Sequence, residues 1–274
     1  MGALITLTTD LGLTDAYVAA MKGVILGINP EATLIDICHT IEPQNILQAA
    51  FVLSTAYEFF PPKTIHLVVV DPGVGTKRRA IILRTPSADF VAPDNGVLSY
   101  VIQRYLTKPA EDYTNLQQIE LKPGLEAVAI NKPQFWRSPV SPTFHGRDIF
   151  APVAARLSLG FPPIDFGEAI NSVVVVPLLQ PYWTPDGALV GHIVHIDNFG
   201  NLITNIRGND LPQAKRAITI EVGNQCISGL SRTYAEGKGL LALISSNGYL
   251  EIALTGGSAA SLTKAKVGSE LKIR

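Results

Sequence analysis

Four short polar stretches of this 274-residue chain carry the residue types that could do chemistry: Thr9-Asp10, Asp71 followed seven residues on by Arg78, Phe144-His145-Gly146-Arg147-Asp148, and Asp197-Asn198-Phe199-Gly200-Asn201. A carboxylate, a guanidinium and an imidazole in one crevice can orient a water, stabilise negative charge on it and take up its proton. Each stretch also has a plainer reading. Asp10 could cap the helix after it, His145 could be a satisfied core histidine, Arg147 and Asp148 a surface ion pair, and Asp197-Asn198 only a turn.

The elements around these stretches say where they sit. Leu67 to Val70 is a continuous aliphatic run, the pattern of a strand buried on both faces, and it stops at Asp71, Pro72, Gly73 and Gly75. An acidic group on a tight turn at a buried strand's end lies where open α/β sheets bind ligands. Leu4 to Thr8 is a second strand, ending at Thr9-Asp10-Leu11-Gly12. Tyr17, Ala20, Met21, Val24 and Ile25 then fall at helical spacing, with Thr14 or Asp15 expected as N-cap. A strand at Thr33 to Ile37 completes a βαβ unit. A helix is expected from Asn45 to Phe59, strands at Ala80 to Thr85 and Asp89 to Ala92, and a helix from Val97 to Leu106. Residues 107–142 form a more polar, weakly defined excursion.

The three prolines in VPLLQPYWTPDGA, residues 176–188, mark a change of character. Beyond it come short β-like runs at Leu189 to Ile196, Ala217 to Val222, Leu240 to Ser245, Leu250 to Ala253 and Glu270 to Ile273, separated by Gly and Asn turns. The expected fold is therefore an α/β N-terminal domain with a mostly parallel sheet, residues 1–178, a linker at 179–188, and a smaller all-β barrel or sandwich at 189–274 that completes the site.

Composition narrows the function classes. A net charge of −1 with scattered charges gives no footprint for nucleic acid. No apolar run nears the roughly 18 residues of a membrane span, and the start MGALITLTTD enters a strand without a basic region, so neither a membrane partner nor a signal peptide is expected. Cys38 and Cys226 lack any metal-ligand spacing and suit a reducing cytoplasm.

LITLTTDLG with DAYVAAMKGVI, the DPGVGT turn, APDNGVL, TFHGRDIFAP, IDNFGNLITN, SNGYLEIAL, GGSAA and VGSEL together resemble the S-adenosylmethionine hydrolases, or hydroxide adenosyltransferases, relatives of the bacterial fluorinase and chlorinase. The resemblance runs from Leu4 to Ile273. It implies attack of a water-derived hydroxide on the ribose 5′-carbon of S-adenosylmethionine, giving adenosine and L-methionine. It implies a cytoplasmic homotrimer with sites between subunits, no metal and no added cofactor, with adenosine as a co-purifying ligand. By similarity, Asp71, Arg78 and His145 handle the water. Asp10 accepts from the ribose hydroxyls, and Asp197 and Asn201 hold the methionine amino group and the adenine edge. Phe144 and Phe199 line the nucleoside, and Ser246 with its neighbours completes the site. The halide-using relatives carry Tyr-Pro-Ala-Thr-Gly where this chain has Asp71-Pro72-Gly73-Val74-Gly75, and Tyr-Ser where it has His145-Gly146. A carboxylate repels a halide but accepts a hydrogen bond from water, which favours hydrolysis. The alternatives are a 5′-halogenase and a slow adenosine- or S-adenosylmethionine-binding protein.

Overall fold

A computed structural model describes residues 2–105, 115–212 and 218–274. Leu106, the expected end of one helix, and Ala217, the expected start of one strand, lie outside the described residues. The chain divides into two compact units, Met1–Leu178 and Leu179–Arg274. No helix among the described residues is long and apolar enough to cross a membrane.

The first unit is built on strands β1 (Leu4–Thr9), β2 (Thr33–Cys38), β3 (Thr64–Val69), β4 (Ala80–Arg84), β5 (Ala88–Pro93), β7 (Glu126–Ile130) and β8 (Gly167–Ile170), with β6 (Gln117–Glu120) and β9 (Ser172–Val175) as a separate pair. The main sheet runs β2-β1-β3-β5-β4-β7-β8. Its first four strands are mutually parallel. The other half is antiparallel, so the sheet is mixed. The cause is the short turn between β4 and β5, since a few residues can join strands only as a hairpin. The polar stretch before Phe144, expected to be weakly defined, supplies β7 to this half and β6 to the separate pair.

Helices α1 (Tyr17–Ile28) and α4 (Ala151–Ser158) cover one face of the sheet, and α2 (Ile46–Ala56) and α3 (Ser99–Gln103) the other. Side chains alternate across a strand, so Leu67 and Val69 meet α1 and α4 while Val68 and Val70 meet α2 and α3. Burial on both faces accounts for the unbroken apolar run. Asn45 caps α2, its side chain accepting from the Gln48 N–H at 2.9 Å. The α1 cap differs from expectation: Ala16 holds the position with no side-chain bond, and the helix is anchored by Val18, Met21 and Ile25 in the core.

His66, at 0% exposure, is a core histidine. Its Nδ1 is 2.7 Å from Thr6 Oγ1, its ring stacks on Phe90, and burial drives its pKa down to about 4, so it is neutral at pH 7.

The second unit is an eight-stranded sheet curled toward a barrel. Its strands are β10 (Tyr182–Trp183), β11 (Leu189–Ile196), β12 (Leu202–Arg207), β13 (Thr219–Val222), β14 (Gln225–Ser228), β15 (Leu240–Ile244), β16 (Tyr249–Leu254) and β17 (Glu270–Ile273). The order is β14-β13-β17-β11-β12-β16-β15, with β10 paired to β11 from within the proline-rich stretch. Leu189, Ile193, Leu202, Ile206, Ile220 and Ile252 fill the inside.

Candidate functional site

Strand order reverses between β1 and β3: β1 leads through α1 to β2 on one side, and the chain then crosses back to place β3 on the other. At such a switch point the loops after two adjacent strands diverge and leave a crevice at the carboxyl edge. Asp10 follows β1 and Asp71 follows β3, and the two strands are in register with Thr9 opposite Val69. Both carboxylates therefore stand at one edge of the sheet.

Two tight turns after β3 fold Arg78 back onto Asp71. The Val74 N–H donates to the Asp71 carbonyl at 3.2 Å, and the Thr76 N–H and hydroxyl both donate to the Gly73 carbonyl, at 3.1 and 2.6 Å. Arg78 Nε then reaches Asp71 Oδ1 at 2.8 Å and Oδ2 at 3.0 Å, with a second, short bond from its terminal nitrogen to Oδ2. Both side chains are largely buried, 6% exposed for Asp71 and 11% for Arg78. The guanidinium also lies over the Phe150 ring, 5.2 Å from its centroid. Arg79 turns away and donates to Asp94 at 2.8 Å and to the Ser172 carbonyl at 2.9 Å, so it is not a partner of Asp71.

The third member comes from far along the chain. His145 leads into a π-helical turn, Gly146–Phe150, that opens α4, and its Nδ1 is 2.9 Å from an Arg78 terminal nitrogen. An arginine only donates, so Nδ1 accepts and the neutral ring carries its proton on Nε2. Burial first, and then the Arg78 charge, hold His145 below the ordinary 6.5, while Asp71 and Asp148 pull the other way. This narrows the expected role: with its lone pair engaged by Arg78, His145 offers an N–H donor rather than a free base. Two glycines make the assembly possible. A Cβ on Gly75, whose φ is +77°, would lie 2.6 Å from the Pro142 carbonyl, and one on Gly146 would press on Val69 and Met21 at 3.1 and 3.2 Å.

Around this trio, Asp10 Oδ2 accepts from the Gln44 N–H at 2.8 Å. Gln44 is a non-glycine residue at φ +67°, a strained conformation of the kind found at binding sites. Behind Asp10, Thr9 Oγ1 lies 2.8 Å from His39 Nδ1, and the His39 carbonyl accepts from the Gly12 N–H at 2.8 Å, fixing the turn. Phe144 meets the Tyr17 ring edge-on at 5.2 Å. Asp148 is 0% exposed and holds Arg147 and Arg137, so only the arginines of that group reach the surface. Thr9 and Asp148 belong to stretches that the sequence singles out, whereas His39 had no distinctive signal beyond its position just after β2.

In the second unit, Asp197 ends β11. Its Oδ1 accepts from the N–H groups of Phe199 and Asn201, both at 2.9 Å, and Oδ2 from the Asn201 amide at 2.9 Å. Asp197 and Asn201 are thus brought together as a self-contained turn, with Phe199 76% exposed beside them. Ser246 lies in the exposed turn between β15 and β16, closed by the Gly248 N–H on the Ser245 carbonyl at 2.9 Å.

Comparison with known proteins gives the family. Residues 5–167 match the SAM hydroxide adenosyltransferase N-terminal domain and residues 191–272 its C-terminal domain. The chain belongs to the SAM hydroxide adenosyltransferase family. Among its relatives, the (R)-S-adenosyl-L-methionine hydrolase of Salinispora arenicola is 34% identical over 98% of this chain and 97% of its own. The fluorinase of Nocardia brasiliensis is more distant, 28% identical over 99% and 96%. The crystal structure of an uncharacterized conserved protein from Thermotoga maritima superposes with a TM-score of 0.86 at 36% identity, covering 98% of this chain and 99% of that one.

Proposed function

We propose that this protein hydrolyses S-adenosyl-L-methionine to adenosine and L-methionine by attack of hydroxide at the ribose 5′-carbon. The observation that carries the reading is the Asp71–Arg78–His145 cluster at the switch point. Asp71 keeps acceptor capacity beyond its bonds to Arg78 and can take a hydrogen bond from water. The His145 Nε2–H and the guanidinium then favour the hydroxide form, the proton passing to solvent, which a neutral crevice would not favour. Positioning supplies the rest, because water is held in line with a sulfonium that leaves as an uncharged thioether. The leaving group is already activated, so no redox partner or added cofactor enters the scheme.

Asp10, pinned on one oxygen by Gln44, has its other oxygen available to the ribose hydroxyls. Phe144 packs against the nucleoside. Asp197, Phe199, Asn201 and Ser246 receive the methionine and adenine ends. A cytoplasmic homotrimer with sites between subunits belongs to the same reading, and sedimentation tests it. Halogenation is disfavoured: Asp71 puts a negative charge where a halide would have to bind, and the curated hydrolases are closer relatives than the fluorinases.

The decisive experiment is mass spectrometry of products formed from S-adenosylmethionine in ¹⁸O water, with and without chloride. Labelled adenosine and methionine, indifferent to chloride, support hydrolysis. A halogenated nucleoside supports the halogenase, and bound adenosine without turnover supports a binding protein.

A further inference from the structure

Asp148 is a charged side chain with no exposure at all, three residues after His145, and the water-activating scheme does not use it. Burial alone would raise its carboxyl. The Arg147 guanidinium and the Ser141 N–H outweigh that and hold it below the ordinary carboxylate range. Arg147 binds it through both nitrogens, Nε to Oδ1 at 2.7 Å and a terminal nitrogen to Oδ2 at 2.8 Å. Oδ2 also accepts the Ser141 N–H at 2.9 Å. The Arg137 N–H donates to the Asp148 carbonyl at 2.8 Å, and the Asp148 N–H to the Phe144 carbonyl at 3.2 Å.

These bonds reach residues 137, 141, 144 and 147, which are the start, middle and end of the loop that delivers His145. The Arg147 guanidinium is held between Asp148 and the face of Phe144, 5.1 Å from the ring centroid, and Phe144 in turn rests on Tyr17 of α1. A Cβ on Gly146 would lie 3.1 Å from Val69 and 3.2 Å from Met21, so the π turn sits close against β3 and α1. The 2.9 Å contact between His145 and Arg78 therefore depends on the loop keeping its place.

The geometry points to Asp148 as the positioning residue of the site, a buried clamp that works through Arg147 and the 137–147 loop to hold His145 against Arg78. It does not touch the reacting atoms. This inference rests on the proposed role of His145, so the test separates the two.

The experiment measures kcat and KM for S-adenosylmethionine hydrolysis in the intact protein for Asp148→Asn, His145→Ala and the double variant. Asp148→Asn should lower kcat at least tenfold, with KM within about threefold of the parent. In the His145→Ala background it should cause no further loss, because there is no imidazole left to position; a merely structural role would multiply the two losses. Arg147→Lys keeps the charge and removes the two-pronged bond, so it should lower kcat severalfold and serves if Asp148→Asn fails to fold. Unchanged kcat in folded Asp148→Asn or in Arg147→Lys, or fully multiplicative losses in the double variant, would overturn the inference while leaving His145 in place. Full activity of His145→Ala would overturn both.

Discussion

The carboxylate after β3 and the carboxylate after β11 occupy corresponding places, each at the end of a buried strand, yet their oxygens are engaged in opposite ways. Asp197 is satisfied by Phe199 and Asn201, all within four residues, and would hold its turn in any fold that contained it. Asp71 is satisfied by a guanidinium seven residues away, which is itself held by an imidazole 67 residues further on. A locally closed turn is a scaffold with one acceptor position to spare. A charged cluster assembled from distant segments is preorganised for chemistry, and removing Asp71 or Arg78 leaves a largely buried charge without its partner.

That contrast sets the expected sizes of four substitution effects and the course of one pH profile. Asp71→Asn should reduce turnover by about a thousandfold, the range for loss of a group acting on the reacting water; a variant within threefold of the parent would place the chemistry elsewhere. His145→Ala should cost about a hundredfold in kcat with little change in KM, since it removes one donor to the developing hydroxide. The same histidine fixes the acid limb of the pH profile. Its pKa lies below 6.5, so the neutral, Arg78-bonded form predominates at pH 7 and is lost only as pH falls beneath that value. Protonation of His145 should therefore cost activity only below pH 6.5; a histidine-linked decline beginning above pH 7 would contradict the assigned hydrogen bond.

Gly75→Ala should lower kcat about tenfold. It places a Cβ at 2.6 Å from the Pro142 carbonyl in a backbone conformation of φ +77° and pushes the DPGVG turn off the His145 loop. Comparison of thermal melts would show whether the loss is local. The smallest effect belongs to the second unit. Asp197→Asn should raise KM about tenfold and lower stability by about 1 kcal/mol, the typical net worth of a turn-closing hydrogen bond. A change in kcat as large as that of His145→Ala would erase the distinction between the two carboxylates.

Several elements were legible from local pattern. The run from Leu67 to Val70 announces burial on both faces, and α1, α2 and the strand ends carrying Asp10, Asp71 and Asp197 follow from spacing and turn residues. The antiparallel half of the first sheet and the separate β6–β9 pair were less legible, because β6 and β7 are short and polar-flanked and their pairing with β9 and β4 spans long stretches of chain. The N-cap of α1 misled for a related reason: Thr14 and Asp15 are good caps, but core packing of Met21 and Ile25 decides where that helix starts. Asp148 was hidden because adjacent Arg and Asp residues look like a surface pair in any sequence, and burial is not a local property.

The sequence by itself determined strands β1 to β5, the turns that end β1, β3 and β11 and the residue types placed there, since these depend on neighbours a few positions away. The tertiary structure alone decided which carboxylate meets which cation, which histidine is a neutral core residue and which faces a guanidinium, and where His145 holds its proton. Those outcomes depend on distances between segments far apart in the chain, and on the desolvation that only packing creates.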